Sequence, residues 1–318
     1  MRIYMSVKEV ADEHRGGSIA IGNFDGVHLG HREVIQTAGN VARDKGFPWG
    51  VVTFEPHPKA FFQKETTPFR LTPFEQKARF IADMGVDFLV VLEFNAGFAQ
   101  TPAEEFVSGV LLDGFGARHV VSGDDFVFGH KRQGTVAFLQ AQGKERGFGC
   151  SGVGQVTDED EEIISSTRVR ELLGAAKPDE AAKLLGRGFE IEGEVATGDQ
   201  RGRTIGFPTA NVIVDESMQP CLGGYAIRAG LLQDGVTVWY DGIANLGYRP
   251  TFGSDACLLE THIFDFAEDI YGQILRVALV EYIRPEQKFD GIEALKAQIA
   301  SDCGLAREML ANKGPEFP

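Results

Sequence analysis

A change of hydrophobic period near residue 187 limits this chain's possible folds more than any other feature. Before it, short β-branched runs at residues 18–22, 49–54, 88–92 and 118–122 are each followed by a loop and a helical stretch. Such βα alternation implies a parallel sheet covered on both faces. After it, residues 189–195, 225–232, 236–240, 258–264 and 274–283 alternate without intervening helices, and Asp234-Gly235 between two of these runs is a hairpin signal. That half reads as a small antiparallel barrel finished by a helix from Ile292 to Ala311. The linker falls within residues 183–188, giving domains of 1–186 and 187–318. With 318 residues, 43% of them apolar, the chain has material for two ordinary cores. No tandem repeat or low-complexity region interrupts it.

Two helices announce their starts in the same way. Thr72-Pro73-Phe74-Glu75 and Thr101-Pro102-Ala103-Glu104 each offer an N-cap hydroxyl, proline at the first helical position and glutamate at the third.

Composition excludes several function classes. The formal charge of −15 repels polyanions, which argues against a nucleic-acid partner. No apolar run reaches the roughly eighteen residues of a membrane span, and no basic segment with an apolar signal core opens the chain. Cys150, Cys221, Cys257 and Cys303 are far apart with no C-x-x-C pair, so neither a zinc site nor a disulfide framework is expected. A soluble, unprocessed protein of the reducing cytoplasm fits these features. Neither a P-loop nor a G-x-G-x-x-G fingerprint occurs. Any anionic nucleotide would then depend on local cations, helix N-termini and Mg²⁺.

Residues 21–31 read Ile-Gly-Asn-Phe-Asp-Gly-Val-His-Leu-Gly-His, directly after an apolar run. A strand ending in a glycine-rich turn exposes backbone N–H groups, and a following helix adds the positive end of its dipole. His28 and His31 can donate there to phosphoryl oxygens as charge builds in a transition state. By itself the pair also fits surface residues or casual metal ligands. A second block, Ile164-Ser165-Ser166-Thr167-Arg168-Val169-Arg170, supplies hydroxyls and guanidinium groups at another helix start. Together the two blocks resemble nucleotidyltransferases that move an adenylyl group from ATP.

Residues 193–211 (Gly-Glu-Val-Ala-Thr-Gly-Asp-Gln-Arg-Gly-Arg-Thr-Ile-Gly-Phe-Pro-Thr-Ala-Asn), residues 242–252 and residues 259–266 carry further blocks. They resemble the signature of riboflavin kinases. Over nearly its full length the chain is similar to the bacterial bifunctional riboflavin kinase/FMN adenylyltransferases, the FAD synthetases. The resemblance implies a nucleotidyltransferase domain with a Rossmann-like parallel sheet, then an antiparallel β-barrel kinase domain with a C-terminal helix. It also implies ATP, riboflavin, FMN and FAD as substrates and products, with Mg²⁺ accompanying ATP.

Residue roles follow from the same resemblance. Gly22, Asn23, Phe24 and Gly30 bind ATP or its phosphates beside His28 and His31, with Asn23 and Asp25 shaping the turn. Ser166, Thr167 and Arg170 bind the ATP phosphates or the leaving group, while Arg168 equally fits a solvated helix face. Asp125, Phe126 and Phe128 belong to a flavin-side loop at residues 121–129, although core packing accounts for the two aromatics as well. Val127 departs from a position often basic in the family, which shifts weight to Lys131 and Arg132. His57, bracketed by prolines, either orders its loop or adds a third polar ligand contact. On the kinase side, Glu260 is the expected base for the riboflavin hydroxyl and Thr209 and Asn211 the expected Mg²⁺ ligands. Gly198, Arg201, Gly202, Arg203 and Gly206 form a phosphate loop, and Arg249 faces the flavin. Gly224 stands where the family has valine and is expected to loosen a strand start. Two other readings are a single-function adenylyltransferase and a non-enzymatic flavin sensor.

Overall fold

The structure, a computed structural model, describes residues 1–62, 68–197, 206–248 and 257–313. The chain forms two compact units, Met1–Thr66 with Thr72–Ile164, and Thr67–Leu71 with Ser165–Pro318.

The first unit is built on six parallel strands: β1 (Arg2–Tyr4), β2 (Ser18–Ile21), β3 (Trp49–Glu55), β4 (Phe88–Glu93), β5 (His119–Gly123) and β6 (Gly149–Val153). They lie in the order β1-β4-β3-β2-β5-β6, so the chain winds outward in one direction from β2 and in the other from β5. The crevice for ligands in such a sheet opens where the winding reverses, at the carboxyl ends of these two strands. The period of two sorts the core onto two faces. Ile19, Ile21, Val52 and Val90 meet Phe106, Leu111 and Phe115 on one face. Ala20, Val51, Leu89 and Val91 meet Val34, Ile35 and Ala38 on the other. The latter three belong to α1 (Leu29–Lys45), which ends at Gly46 in left-handed backbone. Gly39 lets this helix approach the sheet, since a Cβ there would lie 2.6 Å from the Trp49 indole. Among the described residues, the other α-helices of this unit are α2 (Pro58–Phe62), α3 (Phe74–Ala82), α4 (Ala103–Glu105, continued as a π-helix over Phe106–Gly114) and α5 (Val136–Arg146).

Neither expected threonine cap forms. Pro73 and Pro102 stand at the N-cap positions of α3 and α4, with no side-chain cap bond. The Thr72 hydroxyl instead accepts from the Gly26 amide at 2.9 Å, 46 residues back along the chain.

In the second unit α6 (Ser166–Gly174) and α7 (Pro178–Leu185) precede the strands β7 (Phe189–Glu194), β8 (Ala210–Ile213), β9 (Gly223–Gln233), β10 (Val236–Tyr248), β11 (Cys257–Ile263) and β12 (Ile274–Pro285). In this unit α7 packs on β7 and β12. The strands form one antiparallel sheet in the order β7-β12-β9-β10-β11-β8. The sheet curls until its ends meet, where the Ala196 amide, just beyond β7, donates to the Asn211 carbonyl on β8 at 2.9 Å. Gly193 permits this closure, since a Cβ would sit 2.7 Å from Val212. Gly224 lies inside β9 in register with Asn245 and Arg284, so the strand already starts at Gly223. The closing helix α8 (Ile292–Asn312) buries Ala306 and Leu310 against Ala226, Phe264 and Val280. Among the described residues no helix is long and apolar enough to cross a membrane.

Candidate active sites

The turn after β2 is backbone under strain. Phe24 (φ +50°) and Val27 (φ +41°) are left-handed without being glycine, at a cost of about 1–3 kcal/mol each. Both side chains are buried, so core packing helps to hold the turn. Gly22 makes room for it, because a Cβ would lie 3.0 Å from the Phe24 ring. Asp25 is buried and accepts from the Thr72 amide at 3.1 Å, a turn-shaping role.

The turn delivers His28 to the N-cap of α1, where Nδ1 accepts from the His31 amide at 3.3 Å. In the neutral ring that acceptor role leaves the proton on Nε2. The His31 ring stacks on His28 with centroids 3.6 Å apart and planes 18° from parallel, and the Phe24 edge meets it at 5.5 Å. Gly30 leaves this arrangement room, since a Cβ would come within 3.2 Å of the His28 ring. The first turn of α1 contains no acidic residue. Two imidazoles and a helix N-terminus therefore gather beside the winding reversal, suited to developing negative charge.

Along the same sheet edge, Asp125 is exposed just after β5, and Phe126 stacks on Phe128 at 5.7 Å. Phe128 is only 7% exposed and packs on Phe106 and Phe138, within the core. Exposed Lys131 and Arg132 follow, both with positive φ. The Nδ1 of His57 accepts from the Lys59 amide at 3.0 Å, which orders the loop after β3. The sequence reading missed an aromatic group here. Phe61 and Phe62, the latter 67% exposed, meet Phe94 edge-on, and Phe94 meets Phe54 and Phe98. The adjacent Phe61-Phe62 pair was its only local signal.

In the second unit Ser165 is the N-cap of α6, accepting from the Arg168 amide at 3.2 Å. Ser166 and Thr167 are thereby the first two residues of the helix, and Arg170 follows one turn on. Arg170 donates from Nε to the Phe69 carbonyl at 2.8 Å.

The barrel places Glu260 and Asn211 opposite one another on β11 and β8, and Thr261 opposite Ala210. Beside Ala210 and Thr261 lies a cleft of about 320 Å³ whose walls include Thr209, Phe266, Ile270 and Tyr271, while Glu260 and Asn211, one position along each strand, project from the other face of the sheet. The Thr261 hydroxyl is buried in the cleft wall with no partner among the described residues. The Pro208 carbonyl pairs with His262 Nδ1 at 2.8 Å, which fixes the chain just ahead of Thr209. Gly206 is exposed, with φ +91°. Gly198, Arg201, Gly202, Arg203 and Arg249 lie outside the described residues. Among the described residues no three His, Cys, Asp or Glu side chains form a metal cluster. The Thr209 hydroxyl and Asn211 amide oxygen are instead neutral hard donors, a set that fits Mg²⁺ held largely by nucleotide phosphates.

Two family models match in succession, FAD synthetase over residues 10–168 and riboflavin kinase over residues 185–310. Curated relatives named bifunctional riboflavin kinase/FMN adenylyltransferase include one from Pseudomonas fluorescens, 40% identical and covering 98% of each chain. Another, from Escherichia coli K12, is 38% identical over 99% of this chain and 100% of its own. A solved structure described as a macrolide-efflux protein from Streptococcus pneumoniae is 31% identical, with a TM-score of 0.82 over 96% of this chain and 98% of its own. The same fold and full-length similarity thus accompany both halves of the sequence signature, and the chain belongs to the family of bifunctional riboflavin kinase/FMN adenylyltransferases.

Proposed function

We propose that this protein phosphorylates riboflavin with ATP to give FMN on its barrel, and adenylylates FMN with ATP to give FAD and pyrophosphate on its parallel-sheet unit. We assign the two steps to residues 187–318 and 1–186 respectively, in a cytoplasmic protein. The observation that carries the reading is the stacked His28–His31 pair at the winding reversal of one sheet, in the same chain as a curled barrel that pairs Glu260 with Asn211 across two strands.

In adenylyl transfer the FMN phosphate is the nucleophile and is already anionic near neutral pH, so no general base is needed. The enzyme has to hold that phosphate in line with the α-phosphorus of ATP and stabilise the charge that builds as pyrophosphate leaves. His28, through its Nε2 proton, and His31 donate to the phosphoryl oxygens. Gly22, Asn23, Phe24 and Gly30 set the turn, and Ser166, Thr167 and Arg170 bind the ATP phosphates or the leaving group. The exposed rings of Phe61 and Phe62 and the partly open Phe126 offer apolar surface for the flavin. Phe128 supports Phe126 from the core, and Asp125 with Lys131 and Arg132 supplies polar contacts.

In the kinase step the nucleophile is a neutral primary alcohol. Glu260 accepts its proton as the bond to the γ-phosphorus forms. Thr209 and Asn211 would hold Mg²⁺, which supplies charge neutralisation at the ATP phosphates. Incubation with riboflavin, ATP and Mg²⁺, resolving FMN, FAD, ADP and pyrophosphate, tests the reading. Formation of all four supports it, and failure of either pair to appear removes the corresponding activity.

A further inference from the structure

We propose that Thr72 and Lys77, which bracket the start of α3, are positioning residues for adenylyl transfer: they clamp the strained turn of residues 23–27 and, through it, fix the His28–His31 pair. The inference rests on the functional reading above and adds two residues that touch no substrate atom.

Both side chains are nearly sealed from solvent, Thr72 being 3% and Lys77 2% exposed. Their polar atoms converge on the turn from one side. The Gly26 amide donates to Thr72 Oγ1 at 2.9 Å, and the Thr72 amide donates to Asp25 Oδ1 at 3.1 Å. The Thr72 hydroxyl has its own proton directed at the same carboxylate oxygen, at 3.5 Å. Lys77 Nζ donates to the Asn23 carbonyl at 3.4 Å, to Thr53 Oγ1 at 3.3 Å and to Glu55 Oε1 at 2.7 Å. Thr53 Oγ1 in turn donates to the Asn23 carbonyl at 3.1 Å. The three ammonium protons thus have three acceptors, one of them the backbone of the turn.

Fold stability by itself does not account for this ion pair. Well-packed apolar residues in place of a buried pair are often neutral or stabilising. What an apolar side chain cannot do is grip the Asn23 carbonyl. The gripped segment contains Phe24 and Val27 in left-handed backbone and leads directly into His28. Relaxation of these dihedrals would move the two imidazoles away from the phosphates. A displacement of about 1 Å at reacting groups costs on the order of 10² in rate.

The test uses the full chain, with kinase activity as the control for the barrel and the thermal midpoint as the control for folding of the parallel-sheet unit. Lys77→Met and Thr72→Val should each lower kcat for FAD formation from FMN and ATP by about 10- to 100-fold. KM for FMN and for ATP should stay within about threefold and riboflavin phosphorylation within about twofold, while Thr72→Ser, which keeps the hydroxyl, should retain most of the adenylylation rate. Because both residues act through one turn, the double variant should lose less than the product of the single losses. Unchanged kcat in both Lys77→Met and Thr72→Val overturns the inference, as does a Thr72→Ser variant as impaired as Thr72→Val. Parallel loss of kinase activity, or a rate loss that simply tracks a falling thermal midpoint, also overturns it. Failure of the unsubstituted protein to make FAD would instead sink the functional reading, and the inference with it.

Discussion

Glu260 on β11 and Asn211 on β8 are direct cross-strand partners, although 48 residues separate them in the chain. Side chains at such paired positions project from the same face of the sheet with Cβ atoms about 4.5–5.5 Å apart. The expected base and an expected metal ligand are therefore neighbours on one face of the sheet.

Glu260→Gln keeps the shape of this pair and removes the carboxylate that accepts the riboflavin proton. Loss of a general base should lower the kinase step by roughly 10² to 10⁴. Adenylylation of supplied FMN should be nearly unchanged. Single-turnover kinetics check this, and a glutamine variant with full kinase activity would show that Glu260 is not the base. Thr209→Ala should also slow the kinase but be partly rescued by raised Mg²⁺, a rescue not expected for Glu260→Gln.

The stacked imidazoles make the complementary test. A double variant, His28→Ala with His31→Ala, should lose FAD formation while still converting riboflavin to FMN. Chromatographic separation of the two flavins reads the outcome. Continued FAD synthesis would remove the pair from the adenylylation step.

Thiol chemistry should follow burial. Cys257 is 1% exposed, and burial, with the Glu286 carboxylate adding to it, pushes its thiol up to about 11. Burial pushes Cys150 up to about 11 as well. At pH about 7.5 the thiolate fraction of either is on the order of 10⁻³ or below, so iodoacetamide should modify neither in the native protein. Peptide mass mapping before and after urea treatment checks this. Rapid native labelling of Cys257 would contradict its place in β11.

Burial lowers the pKa of His119, whose Nε2 pairs with Ser151 Oγ at 2.9 Å. The folded state therefore binds the proton less readily than the unfolded chain. The resulting contribution to stability is present above the ordinary histidine value of about 6.5 and is lost as pH falls toward the lowered folded value. Urea midpoints measured from pH 7 down to pH 5 should fall, and His119→Gln should flatten part of that fall. An identical pH dependence in the variant would contradict the assignment.

Much of the site was legible because its chemistry is encoded locally. The turn at residues 22–27 and the histidines at 28 and 31 sit where a strand gives way to a helix, and their spacing is visible without any partner. The roles of Thr72 and Lys77 were not legible in this way. Thr72 precedes a proline and a glutamate as a capping residue does, yet its hydroxyl is taken by Gly26. For Phe128 the sequence left flavin contact and core packing both open, and the ring goes to the core beside Phe106. Lys77 lies in α3 with nothing in its neighbours to mark it, and it is sealed against Glu55.

The two periods, the strand-to-helix punctuation and the residue types available at each turn are readable along the chain, because they depend on dihedral preferences and spacing within a few residues. Which distant groups meet is set by tertiary packing. Closure of the barrel between Ala196 and Asn211, the pairing of Asn211 with Glu260, and the capture of Gly26 by Thr72 each join segments whose approach is set by packing of the whole core. A polar side chain takes the partner that its buried position leaves within reach, since leaving a buried donor or acceptor unpaired costs more than forgoing a local cap.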